Sequence, residues 1–297
     1  MVKRESRNNL AKNNWGKAVA VTIFVLSISS SVTMLMQLFR LVLNINLEEK
    51  TFSLSSYLSD IYINQGVLIE SFKNTSSANT IIYYLILLVV LILSFIVLEP
   101  LSLGASRFYF YVSKGESPSV EEIFYYFRGK KAFLRSLNFG INALLRGLLW
   151  GLVCMLPGTV IMIISGMLSA MPITASSISQ YSIALVPISM ITLVIGYIFL
   201  LAIVLRYFLA SYLFISREEI GIKECFKVSF KSMVGYRISV LKLYITFIPW
   251  LLLCFFVVPL LYVIPYLQTA KFTCAKWLLV EIEKRDRLNN TNVAVEM

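Results

Sequence analysis

The chain has no histidine. That absence removes a Ser-His nucleophile pair, an H-E-x-x-H zinc site and the histidine-dependent intramembrane hydrolases. Aspartate is almost missing too: Asp60 and Asp286 are the only two. One falls in a polar loop and the other near the C-terminus, so an aspartyl pair inside apolar segments is excluded. Gly-rich phosphate cradles and nucleotide motifs are lacking. The four cysteines, Cys154, Cys225, Cys254 and Cys274, share no C-x-x-C spacing. Three lie in apolar runs, where they read as small packing side chains and not as a disulfide or metal set. The Glu121-Glu122 and Glu218-Glu219 pairs fall between apolar runs, where solvated or capping roles outweigh acid-base work. An enzyme is not expected, nor is a cofactor or a metal.

Charge is also scarce. Only 14% of the 297 residues are charged and 58% are hydrophobic, against roughly 25% charged in an ordinary soluble domain. The expected class is an all-α polytopic membrane bundle forming a single integral membrane domain over 1–297. The formal net charge of +11 is spread between apolar runs instead of gathered in one patch. Such charges set topology and meet anionic lipid headgroups; nucleic acid is not expected as a partner.

The apolar runs predict six spans, at about 18–39, 80–98, 137–168, 182–205, 238–257 and 260–280. Residues 1–17 read as a basic cytoplasmic tail and 281–297 as a second one, so both termini face the cytoplasm. An uncleaved first helix is preferred to a signal peptide, because the apolar run continues past Ser29-Ser30-Ser31 with no A-x-A pattern. The polar stretch 44–79 becomes an outer loop, with Leu54, Tyr57, Leu58 and Ile61 at helical spacing. Pro157-Gly158 is expected to kink the third span. Lys271 and Lys276 raise the alternative that the last segment lies on the surface, but five spans would put the basic C-terminus outside.

Two inner segments resemble each other. After Ser117-Pro118, Val120, Ile123, Phe124 and Phe127 fall on one helical face, with Ser119 and Glu122 at capping-box spacing. After Gly221, Ile222, Cys225, Phe226, Ser229 and Met233 share one face and Lys223, Lys227 and Lys231 another. Both segments read as cytoplasmic interfacial amphipathic helices, and the three lysines as candidate headgroup contacts. A weak two-fold repeat of span, interfacial helix and span follows.

Few polar groups accompany the spans. Asn138, Asn142 and Arg146 recur every four residues on one face, and Glu99 and Arg206 sit at span ends within reach of pairing. These five form a candidate polar cluster, although snorkelling of the arginines and simple solvation of Glu99 account for them equally. Glu99-Pro100 reads as a helix exit. Arg107 with Tyr109 and Tyr111 reads as interfacial anchoring. Gly147 and Gly151 form a G-x-x-x-G whose default role is close packing within the protein.

The order NNWGKAV at Asn13, EPLSLG at Glu99, SKGESP at Ser113, IFYYF at Ile123, LPG at Leu156, VSFKSMVGY at Val228, FIPW at Phe247 and VIPY at Val263 resembles the bacterial integral-membrane family of domain of unknown function 975. Ser229, Met233, Gly235, Trp250 and Pro265-Tyr266 are its most specific part; Val234 departs from the Lys or Met expected before the glycine. The resemblance implies a multi-span architecture in a Gram-positive type of membrane. It brings no established activity, so it carries no catalytic or ligand residues. The expected function is a non-enzymatic accessory or envelope-associated protein of the bacterial plasma membrane, acting through lipids, other membrane proteins or itself. The alternative is a small transporter or lipid translocator using Glu99, Asn142 and Arg146.

Overall fold

Long apolar runs keep every backbone polar group paired only by coiling into helices. The computed structural model describes residues 1–12, 14–42, 78–170, 176–254 and 257–295, and these contain no strand. In chain order they form α1 (Val2–Ala11), α2 (Trp15–Val42), α3 (Ala78–Lys114), a 3-10 helix (Val120–Phe127), α4 (Lys130–Ala170) and α5 (Ser176–Val204). A 3-10 turn (Leu205–Tyr207) then leads to α6 (Ala210–Ser216), α7 (Ile222–Ser232), α8 (Arg237–Leu253) and α9 (Val257–Val295). The expected outer loop, with its turn at Leu54 to Ile61, lies outside the described residues.

Among the described residues four helices are long and apolar enough to cross a membrane, over Trp15–Leu35, Tyr84–Lys114, Lys130–Leu168 and Leu185–Ser216. The number rises to five if α7 and α8, bent by 91° at their junction, count as one broken span. The expected sixth segment, 260–280, lies within α9 and is not among them. Lys271 and Lys276 interrupt it, and Thr269, Thr273, Ala270 and Ala275 are buried against other helices.

Glu99-Pro100 does not end a helix. The 37-residue α3 runs through Pro100 to Lys114. An interior proline removes one hydrogen bond and crowds the carbonyl four residues back, at a cost of about 3 kcal/mol. Beyond it, however, Leu101, Leu103, Phe108, Phe110 and Val112 are all buried. Each buried side chain of this size contributes roughly 1.5–3 kcal/mol, so continuation wins. The actual stop is Gly115, at φ 87°. Its N–H bonds the Val112 carbonyl at 2.9 Å and the Glu116 N–H bonds the Tyr111 carbonyl at 3.2 Å, a reversal that needs the left-handed conformation glycine tolerates.

The segment after Ser117-Pro118 is a 3-10 helix, not the expected α-helix, and Ser119 makes no side-chain cap bond. Three residues per turn change the buried set: Ile123 and Tyr126 are buried, while Phe124 and Phe127 are exposed. The cause lies in α3, where Gly104 abuts the backbone carbonyl of Ile123 so closely that an added Cβ would overlap it.

The chain divides into two compact units. The first comprises Met1–Ser30, Phe95–Leu145 and Ala202–Met297. It holds a core in which the Phe139 ring lies 4.4 Å from that of Phe214 and 4.9 Å from that of Phe226, joining α4, α6 and α7. The N-terminal segment, read from its charge as a tail, is the helix α1, with Ser6, Asn9 and Leu10 buried.

The second unit comprises Ser31–Ser94 and Arg146–Leu201. Its helices expose Leu85, Leu88, Leu148, Leu152, Ile163 and Phe199, compatible with lipid as solvent. Here α4 and α5 approach through Gly158, against Leu193, and Gly196, against the Cys154 carbonyl. Gly147 and Gly151, expected to provide such an approach, have no packed neighbour within 4 Å among the described residues.

Adding one methyl at Gly104 tests the 3-10 contact. Gly104→Ala is expected to lower stability by roughly 1–3 kcal/mol, read as a fall in melting temperature in detergent, with amide exchange rising over Val120 to Phe127. Unchanged exchange there would contradict the contact.

Candidate functional site

Three groups of charged side chains in the first unit bear on the candidate sites, and α3 carries the centre of the first. Arg107 donates from Nε to Glu122 Oε2 at 3.0 Å and from Nη1 to Glu218 Oε1 at 2.8 Å. Its guanidinium lies 3.6 Å over the Tyr125 ring, and the Tyr125 hydroxyl donates to the same Glu218 oxygen at 3.0 Å. Only 12% of the Arg107 side chain is exposed. One arginine therefore ties the 3-10 helix and the α6–α7 connection to α3. With two carboxylates balancing its charge, it is a fastener and not a ligand site. The expected interfacial role of Arg107 misses both partners. A signal was present in the repeated Glu-Glu-Ile of residues 121–123 and 218–220.

The second group fixes α1. Glu5 accepts from Lys276 Nζ at 2.9 Å and from Trp277 Nε1 at 2.7 Å. Burial raises its pKa, but those hydrogen bonds and the lysine charge prevail and hold the carboxyl below the usual range. Ser6 donates to Thr273 at 3.1 Å, Asn9 to the Ser113 carbonyl at 3.1 Å, and Asn14 to the Glu116 carbonyl at 3.1 Å. Trp15 stacks on Tyr262 with ring centroids 4.6 Å apart. These contacts explain the NNWGK segment in part; Asn13 lies outside the described residues.

The expected polar cluster is only partly assembled. Glu99 packs against Gly140 on α4, between the turns carrying Asn138 and Asn142. The Asn142 amide turns back to Asn138, donating to its carbonyl at 2.9 Å and its Oδ1 at 2.8 Å. Arg146 belongs to the second unit. Arg206 makes no ion pair with Glu99.

Arg206 instead begins the third group, with α7. Its guanidinium carbon is 4.2 Å over the Phe230 ring, its backbone carbonyl accepts from Ser229 Oγ at 2.8 Å, and its buried Nε finds no acceptor among the described residues. On α7, Cys225, Phe226, Ser229 and Met233 are buried, while Lys223, Lys227 and Lys231 are exposed. Among the described residues none of these lysines forms an ion pair. This group has uncompensated positive charge, the opposite of the Arg107 group, and its chemistry suits an anion.

The hydrogen bond from Arg107 is the main reason that the Glu218 carboxyl is held below its usual range, with burial opposing it and Tyr125 assisting. A depressed folded value contributes stability that is full above the unfolded pKa, about 4.3, and is lost as pH falls through the folded value. Glu218→Gln is therefore expected to melt below the wild type near pH 7, with the gap closing below about pH 4. A gap constant with pH in detergent melts would contradict the pairing.

No curated protein and no solved structure matches the chain. The family model that does match covers residues 1–274, nearly the whole length, and carries the residues that build all three groups except the end of the α1 clamp at Lys276 and Trp277; the chain thus belongs to the family described as Protein of unknown function (DUF975).

Proposed function

We propose that the chain is a multi-pass protein of the bacterial plasma membrane, an accessory or envelope-associated bundle without enzymatic activity, which works through anionic lipids and neighbouring membrane proteins. In this reading α2, α3, α4, α5, α8 and the first part of α9 make six crossings, and α7, bent by 91° from α8, lies along the inner interface. Both termini and the basic connections then lie in the cytoplasm, following the positive-inside bias. The uncompensated lysines of α7 face the headgroups of the inner leaflet, where each basic residue contributes about 1 kcal/mol of attraction.

The observation that carries the reading against transport is the fate of the hydroxyls on the apolar helices. Ser94 donates to the Leu91 carbonyl at 2.9 Å, Thr159 to Leu156 at 3.0 Å, Ser189 to Val186 at 2.7 Å and Thr192 to Ile188 at 2.8 Å. Each is satisfied within its own helix. A translocation path places such groups toward a polar cavity near the bilayer midplane, where they replace the water of the passing group. Asn142 is likewise turned onto its own helix.

Proteoliposomes separate the two classes. With the wild-type chain reconstituted, a fluorescent headgroup-labelled lipid is expected to cross between leaflets no faster than in protein-free vesicles, as read by dithionite bleaching. Accelerated crossing that Arg146→Gln abolishes would replace this reading with a lipid translocator.

A further inference from the structure

The third charged group has the makings of a discrete binding site. Helical geometry places it: at 3.6 residues per turn, Phe230 falls at the seam of α7, between the buried Phe226 and Met233 and the exposed Lys223 and Lys227. The Arg206 guanidinium lies 4.2 Å over that ring, at this seam between the buried face and the lysine face. Lys227, one turn from Phe230, is the ring's neighbour on the lysine face. Tyr207 closes the inner edge, its ring 5.6 Å from Phe230 and 5.9 Å from Phe226.

Buried polar groups are almost always paired, and a charged one left without an acceptor is costly. Arg206 Nε is such a group. Two other half-buried arginines find acceptors: Arg107 has Glu122 and Glu218, and Arg135 has the Phe214 and Arg217 carbonyls at 3.5 and 3.4 Å. The nearest acid along α7, Glu224, forms no ion pair with Lys223, Lys227 or Arg206. Just past the end of the long apolar α5, an arginine with an unfilled donor lies over an aromatic ring one turn of α7 from Lys227, which forms no ion pair among the described residues.

We propose that Arg206 and Lys227, over the Phe230 ring, bind the phosphodiester of an anionic phospholipid headgroup. The fork of the guanidinium matches phosphate oxygens through its terminal Nη donors, while Lys227 adds a second positive charge. Lys223 and Lys231 form a wider rim. A headgroup is favoured over free phosphate because Arg206 lies within Leu185–Ser216, a stretch long and apolar enough to cross a membrane, where a guanidinium reaches toward the headgroup layer. An anionic headgroup is favoured over a zwitterionic one because Arg206, Lys223, Lys227 and Lys231 outweigh the single acid of this helix, Glu224.

This inference names the lipid partner of the reading above and rests on it. Its failure is nevertheless distinguishable, because leaflet crossing does not depend on whether one lipid is retained. The test uses the full chain in mild detergent with equal phosphatidylglycerol and phosphatidylcholine, and native mass spectrometry to count retained lipids. The wild type is expected to hold phosphatidylglycerol preferentially. Lys227→Gln, an exposed change that leaves the core untouched, lowers that retention about five-fold, and Arg206→Gln lowers it at least as much, with Arg206→Lys between. Lys130→Gln, an exposed cation elsewhere, leaves it unchanged, and millimolar inorganic phosphate does not displace the lipid. Equal retention of the two lipids, or a loss in Lys130→Gln matching that in Lys227→Gln, overturns the site. Displacement by inorganic phosphate overturns its assignment to a headgroup.

Discussion

Arg107 holds the first unit to one arrangement. Two polar connections, the 3-10 helix and the α6–α7 connection, send a glutamate to the same guanidinium. Neither segment is long enough to be a stable helix alone. Each is short, charged and tied down by tertiary contact, so its position is set by the residue it reaches. Arg107 is available because α3 continues through Pro100 and carries a buried apolar stretch beyond it. Around the ion pairs the rings of Tyr111 and Tyr125 lie 5.3 and 3.6 Å from the guanidinium, lowering the cost of removing a cation from water.

The α1 clamp uses the same chemistry. Glu5, set between Lys276 and Trp277, closes the N-terminus onto α9, and Lys3 reaches the Thr246 carbonyl at 2.9 Å while lying 4.5 Å from the Phe247 ring. In both groups the cations find oxygen acceptors within the chain. Arg206 and the lysines of α7 do not, and this contrast separates residues that hold the fold from residues left to meet something outside it.

The helical class and the positions of four apolar helices were legible because hydrophobic length is a property of composition alone. Helix ends were less so. Pro100 looked like a stop because the local rule is strong, yet burial of Leu101, Phe108 and Val112 exceeds the proline penalty, and that burial depends on partners far along the chain. The 3-10 geometry of Val120 to Phe127 was hidden for a similar reason: the spacing fits an α-helix, but the close approach of Gly104 to Ile123 selects the tighter turn. Gly147 and Gly151 satisfied a spacing rule that Gly158 and Gly196, far apart in sequence, fulfil instead. Of the five residues in the candidate cluster, local periodicity found the Asn138–Asn142 bond, since the two share one helix. It did not find the company of Arg206, whose floor is Phe230 on a different element.

The central claim is that one arginine couples separate segments, and a double-mutant cycle between Arg107 and Glu218 measures it most directly. Charged hydrogen bonds of this kind are worth roughly 1.5–3 kcal/mol. If Arg107 acts as described, Glu218→Gln lowers stability in the wild-type background and has little further effect once Arg107→Ala is in place. Costs that simply add in the double variant would mean that Glu218 acts independently of Arg107, and would contradict the account.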